Sequence, residues 1–160
     1  MAAYMKLGDI KGESEDEGHK DWIELQSMSS PIVRQIPAGA KGHERSRGNV
    51  VLGNVFITKF VDKATPKTLE ACAKGDRINE VEIHFCSKEK GKREPYLKYK
   101  LNDVIISSSQ VDAHESGDTK PTEHIELNCT KIEWTYVTIG KDGSKKGELA
   151  TKYDLDAGKS

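Results

Sequence analysis

Hydrophobic positions cluster most tightly between Val55 and Phe60, in the run VFITKF. Val55, Phe56, Ile57 and Phe60 are apolar, and only Thr58 and Lys59 interrupt them, so the run predicts a strand covered on both faces. A helix is expected directly after it. Thr65 is a natural N-cap and Pro66 suits the first helical position, where a missing N–H costs nothing. Leu69, Cys72 and Ala73 then fall on one apolar stripe, and Gly75 supplies a left-handed stop. No other segment has a helical pattern.

Alternation dominates the second half. Val81, Ile83 and Phe85 alternate with Glu82 and His84, and Leu97, Tyr99 and Leu101 alternate with Lys98 and Lys100. Each predicts a strand with one covered and one wet face. Twice the phase slips: Leu101 is followed by Val104 and Ile106, and Ile125, Leu127 and Cys129 by Ile132, Trp134 and Tyr136. A β-bulge produces such a slip, bulged strands bend, and bent sheets close into barrels or sandwiches. Turns are expected around Gly91 (with Lys90, Lys92 and Arg93), over Asp112–Lys120 and over Gly140–Gly147, with a short final strand over Leu149–Leu155.

The connector Ile36–Gly48, IPAGAKGHERSRG, holds three glycines, three basic residues and almost no apolar content after Ile36. Connectors of this length are usually functional or disordered. Two readings stand: a mobile surface loop, or an arm that becomes ordered against a neighbouring subunit.

Composition narrows the class. One domain spanning residues 1–160 is expected, with 35% hydrophobic and 32% charged residues. A net charge of −1 gives no field that favours nucleic acid or an anionic membrane. No apolar run reaches the length of a membrane helix, and MAAYMKLGDI lacks the basic and apolar regions of a cleavable signal peptide, so synthesis in the cytoplasm is expected. Cys72, Cys86 and Cys129 have no C-x-x-C spacing and read as reduced structural thiols, with Cys86 facing away from Val81, Ile83 and Phe85.

The chemistry-bearing residues form no constellation. Five histidines (His19, His43, His84, His114 and His124) show no metal-binding spacing and are expected to be mostly solvated. Ser107–Ser109 lacks a nucleophile-elbow context. Gly158-Lys159-Ser160 ends like a phosphate loop but has Tyr153 where its first glycine belongs. No catalytic, cofactor-binding or metal-binding residue is assigned, and no cofactor is expected.

Four segments, in order, carry a resemblance to a known family. They are KLGDIKGES (Lys6–Ser14) followed by His19, KFVDKATP (Lys59–Pro66), YLKYKLNDVIISSS (Tyr96–Ser109) and PTEHIELNCTKIEWTY (Pro121–Tyr136). Together they resemble the Hcp family, the tube proteins of bacterial type VI secretion. That resemblance implies a mainly β fold, a closed or partly closed barrel or sandwich of two sheets. It implies one lateral helix over about residues 65–74 and an extended loop over about residues 36–48. It further implies homohexameric rings that stack into a hollow tube, with sheath and spike proteins and lumenal effectors as partners. Catalysis, nucleic-acid binding, membrane insertion and an added C-terminal effector domain are not expected, and export would bypass a signal peptide. The resemblance makes Gly39, Lys41, Gly42, Arg45 and Arg47 candidate ring-stacking residues and Ser29 a candidate lumen contact. The chain departs from the family beside Ser29, where Met28, Ser30 and Pro31 stand in place of a tryptophan and glycine.

Two other readings remain. A ligand-binding or enzymatic β-barrel would need an apolar cavity, for which Trp22, Trp134 and Tyr136 are the candidate lining aromatics. A phage tail-tube protein would share the tube architecture.

Overall fold

The computed structural model describes the chain except Lys90, Gly91, Ser116, Asp118, Lys159 and Ser160, and describes the side chains of Lys88, Glu89 and Lys92 no further. The expected turn at Gly91 therefore lies outside the described residues.

Among the described residues, eleven strands and one α-helix follow in order: β1 (Ala2–Leu7), β2 (Ile23–Leu25), β3 (Ser27–Ser29), β4 (Ile32–Arg34), β5 (Val50–Leu52), β6 (Val55–Phe60), α1 (Thr65–Lys74), β7 (Arg77–Glu89), β8 (Lys92–Asp112), β9 (Thr122–Asn128), β10 (Lys131–Ile139) and β11 (Lys145–Asp154). Nine strands form one antiparallel sheet in the order β2-β1-β7-β8-β9-β6-β3, with β10 and β11 branching from β8. The remaining pair, β4 and β5, forms a separate two-stranded sheet.

The large sheet curls until its ends nearly meet. Its first and last strands, β2 and β3, are consecutive segments of chain separated by Gln26 alone. The first half of this stretch pairs with β1 and the second with β6, and the Gln26 N–H donates to the Thr58 carbonyl at 2.8 Å. The barrel is thus partly closed, in keeping with the mainly β expectation.

The long strand β8 organises the other side. Along one edge it pairs with β7; along the other it pairs with β10 through Leu97–Asn102 and with β9 through Ile105–Asp112. The fork lies at Asp103, which has φ 52°. Left-handed backbone at Asp103 carries the first phase slip, while the pairing to β7 keeps its register from Val81↔Leu101 to Ile78↔Val104. The second slip is a complete break, since β9 ends at Asn128 and β10 starts at Lys131. Bulges were expected at both sites. Register shifts occur instead at Phe85/Cys86, Ile106/Ser108 and Thr138/Ile139.

The interior is filled by side chains such as Met5, Leu7, Ile57, Ile83, Leu101 and Leu127, all essentially inaccessible. Burial of this kind stabilises by about 1.5–3 kcal/mol per large apolar side chain. The three aromatics proposed as pocket lining do not converge in this interior: Trp22 covers the outside of the sheet, Trp134 packs at the core margin, and Tyr136 is exposed.

Strand β6 departs from expectation. It buries one face only: Val55, Ile57 and Lys59 point inward, while Phe56 and Phe60 are exposed. Lys59 can be buried because its Nζ donates to Glu123 at 2.8 Å, to Asp62 at 2.9 Å and to the Phe60 carbonyl at 2.8 Å. Glu123 also accepts from Thr65 at 2.7 Å and from Thr68. This polar cluster decides how α1 sits. Its inward face is Thr65, Thr68 and Ala71; Leu69 and Ala73 are exposed, and Cys72 is half-buried, so the expected apolar stripe is not the packed face. The helix start also differs by one residue. Thr65 is already helical, and the Asp62 side chain accepts from the Ala64 N–H at 2.9 Å. Gly75 ends the helix at φ 66°, as expected.

Candidate functional site

Among the described residues no helix is long and apolar enough to cross a membrane. Among the described residues no cluster of His, Cys, Asp and Glu is placed to hold a metal ion. The features that stand out are surfaces, and the connector between β3 and β6 builds the first of them.

Residues 32–52 form an arm. Strands β4 and β5 pair as Ile32↔Leu52, Val33↔Val51 and Arg34↔Val50, and the segment beyond them folds as a 3₁₀ turn over Gly42–Arg47. The connector was expected to be irregular, so both the flanking ladder and the turn are additions. Their signal was the pair of β-branched runs, Ile32-Val33 and Val50-Val51, on either side of the glycine-rich stretch. Arg34 fastens the tip, donating to the carbonyls of Ser46 at 3.1 Å and Gly48 at 2.8 Å. Gly48 is required there, because a Cβ would lie 1.3 Å from the Gln35 carbonyl oxygen.

The five residues singled out from the sequence all lie on this tip. Gly39 and Gly42 take positive φ, Lys41 precedes the 3₁₀ turn, and Arg45 and Arg47 lie within it. No residue of the turn is buried. Ile32, Val33, Ile36 and Val51 are about half exposed along the arm. A two-stranded ribbon with so little burial has few contacts of its own to hold it. It presents an apolar stalk and a basic tip to whatever lies beside it.

Ser29 is not on the arm. It ends β3, is exposed, and pairs with Phe56 of β6. Ser27 and Thr58, two residues along each strand, share its outward face. Pro31 follows the end of this ladder, and its carbonyl accepts from the Gly53 N–H at 2.9 Å, which fixes the root of the arm.

A second surface feature lies at the opposite end of the same two strands. A cleft of about 650 Å³ is bordered by Glu13, Glu24, Leu25, Phe60, Val61 and Lys120, among others. Glu13 and Glu24 are exposed on its rim, and Phe60 forms an apolar wall. Strand β6 runs from the arm at Val55 to the cleft at Phe60, and β3 runs back alongside it. Sequence reading did not single out the cleft, because its residues come from four separate segments.

Charged residues on the outer faces of β7 and β8 pair within the chain: Glu82 lies opposite Lys100 and His84 opposite Lys98, and Lys100 Nζ lies 3.0 Å from Glu80. The histidine expectation needs correction. His43, His114 and His124 are exposed, but His19 is buried and His84 is half-buried. Cys86 does face away from the core, yet it is buried beneath the segment that carries His19. The three thiols are unpaired, and burial pushes those of Cys86 and Cys129 up to about 11, which keeps them protonated.

Comparison with known proteins assigns this architecture. Residues 4–136 match the family model described as "Type VI secretion system effector, Hcp". The chain is similar to "Protein hcp1" of Pseudomonas aeruginosa, at 28% identity over 90% of this chain and 88% of that protein. It is also similar to the "Major exported protein" of the same organism, at 30% identity over 85% and 81%. A solved structure titled "Structure of a type six secretion system protein" superposes with a TM-score of 0.91 and 26% identity, covering 99% of this chain and 98% of that one. A match spanning most of the barrel, from β1 into β10, together with this fold, places the chain in the Hcp family of type VI secretion proteins.

Proposed function

We propose that the chain is a structural subunit of the type VI secretion tube, a single domain that assembles into homohexameric rings, which stack end to end through the 32–52 arm. Family membership supports the ring and the tube. The observation that carries the stacking step is the arm itself, an ordered ribbon whose tip buries nothing within its own subunit. Its position relative to the cleft fits a head-to-tail stack. The two features sit at opposite ends of β6, roughly 20 Å apart at the usual rise per residue. One is basic (Lys41, Arg45, Arg47) and the other has an acidic rim (Glu13, Glu24). Contacts between unlike patches propagate a stack, whereas like patches would stop at two rings. Gly39 and Gly42 give the tip its turns and Lys41, Arg45 and Arg47 its charge.

In this reading the outward face of β3 and β6, including Ser29, lines the lumen and touches passing effector proteins. Sheath and spike proteins are the further partners, with synthesis in the cytoplasm and export through the machine itself. The role requires no cofactor and no catalytic residue.

Native mass spectrometry tests the ring, and electron microscopy of the same sample tests the stack. The expected result is a species of six subunits that forms stacks at high concentration, with deletion of Lys41–Arg47 leaving the ring and removing the stacks. A strict monomer at micromolar concentration would overturn the ring. Stacks that survive the deletion would overturn the role of the arm.

A further inference from the structure

The segment between β1 and β2 folds over the outer side of the barrel and is bonded largely to itself. Gly12 N–H donates to the Asp21 carbonyl at 2.8 Å, Ser14 N–H to that of Trp22 at 3.0 Å, and Trp22 N–H to that of His19 at 3.1 Å. Side-chain bonds from this segment to β7 run through His19. Its ring lies parallel to Tyr4 of β1 at 4.5 Å and edge-on to Trp22 at 4.9 Å. Its Nδ1 lies 2.8 Å from Asp16 Oδ1, and its Nε2 lies 2.9 Å from His84 Nδ1 on β7. His84 Nε2 in turn faces Glu82 Oε2 at 3.4 Å, and Cys86 Sγ lies 3.9 Å from His19 Nε2. The row Asp16–His19–His84–Glu82 therefore joins the segment to the sheet through one nitrogen-to-nitrogen contact.

A gap of this kind holds a single proton, whichever ring supplies it. If both rings become imidazolium, both facing nitrogens carry hydrogens and like charges meet, so the contact turns from bond to repulsion. The carboxylates of Asp16 and Glu82 sit at the outer ends of the row, where they hold each cationic ring in its own place. The break therefore falls in the middle, between segment and sheet.

We propose that His19 and His84 form an acid-operated latch that holds residues 8–22 against the barrel wall, and that protonation of both rings releases the segment and uncovers Tyr4 and Cys86. Every element packed around the pair contributes charge to this balance. The segment supplies Asp16, β7 supplies Glu82 and the Cys86 thiol, and β1 supplies Tyr4, with Lys6 opposite Glu82. Strand β8 supplies Lys98 opposite His84, Glu94, and Arg93, whose guanidinium stands 5.7 Å from the Tyr4 ring. Desolvation by burial, aided by the charges of His19 and Lys98, pushes His84 down to about 4. A histidine lowered in this way contributes fully above its ordinary value near 6.5, and its contribution is lost as pH falls from there towards 4.

The chain has two tryptophans and three cysteines, so a Trp134→Phe, Cys72→Ser, Cys129→Ala background leaves Trp22 as the fluorescent reporter and Cys86, beneath the segment, as the remaining thiol. Emission and labelling by 4,4′-dithiodipyridine, which reacts in acid, would be followed from about pH 8 to about pH 4, across the histidine range. The expected result is a change in Trp22 emission and an increase of about tenfold or more in labelling of one thiol per chain, with far-ultraviolet circular dichroism unchanged. In the same background His84→Gln, which can still hydrogen-bond but cannot titrate, removes the transition, as does His84→Phe if the first variant folds poorly. Protection of Cys86 down to the pH at which the whole sheet unfolds would overturn the latch. So would an unchanged transition in either variant.

Discussion

Lys59 has no exposed surface, and its ammonium meets Glu123, Asp62 and a carbonyl. Removing one partner of a buried ion pair costs more than the pair contributes, because the other charge is stranded. Lys59→Met is therefore expected to lower stability by about 3 kcal/mol, read as a smaller urea midpoint. Burial acts to raise the Glu123 carboxyl, but hydrogen bonds from Lys59, Thr68 and Thr65 together outweigh it and hold the group below its ordinary value. The stability it supplies is thus present above about pH 4.5 and is lost as pH falls below that, and the loss is absent in Glu123→Gln. None of this was legible along the chain. Lys59 read as a polar interruption of an apolar run because its partner Glu123 is 64 residues away. His19 and His84 were misread as solvated for the same reason: burial by a folded-over segment leaves no periodic trace.

At the scale of elements, what the sequence revealed followed the strength of the local signal. Strands with strict alternation, such as the stretch around Val81 and Ile83, emerged with the expected faces. Gly75 ended the helix because its φ of 66° follows directly from backbone sterics. A Cβ there meets nothing within 4 Å, so Gly75→Ala isolates the conformational cost, expected at about 1 kcal/mol and a melting point lower by a few degrees. The inward face of α1 was wrong because threonines, not leucine, face the Glu123 carboxylate. Hydrophobic periodicity finds only faces that pack against hydrocarbon. The arm was half legible: the glycine-rich tip stood out, but three-residue strands are too short to announce themselves.

Over the whole molecule, the family resemblance carried what no local pattern could, since partial closure depends on β2 and β3 meeting different partners. The candidate stacking residues came from the same source, and the acidic cleft from neither. If the arm seats in that cleft, ring stacking is sensitive to salt, because exposed charges are screened within about 8 Å at physiological ionic strength. Glu13→Lys with Glu24→Lys is expected to weaken stacking about tenfold without altering the ring, and Arg45→Glu with Arg47→Glu is expected to restore it. Sedimentation of rings and stacks at two salt concentrations measures both effects.

The arrangement of β3 and β6 has a mechanical consequence. Both strands lead from the cleft end of the barrel to the root of the arm. Tension between a tip gripped by one neighbour and a cleft occupied by another would run along the strands, parallel to their axes. The interstrand bonds of Ser27–Ser29 with Phe56–Thr58 would then be loaded together in shear, with none peeled open ahead of the rest. A barrel pulled in this direction resists as a unit, so a column of such subunits could transmit a sudden axial thrust without its seams unzipping.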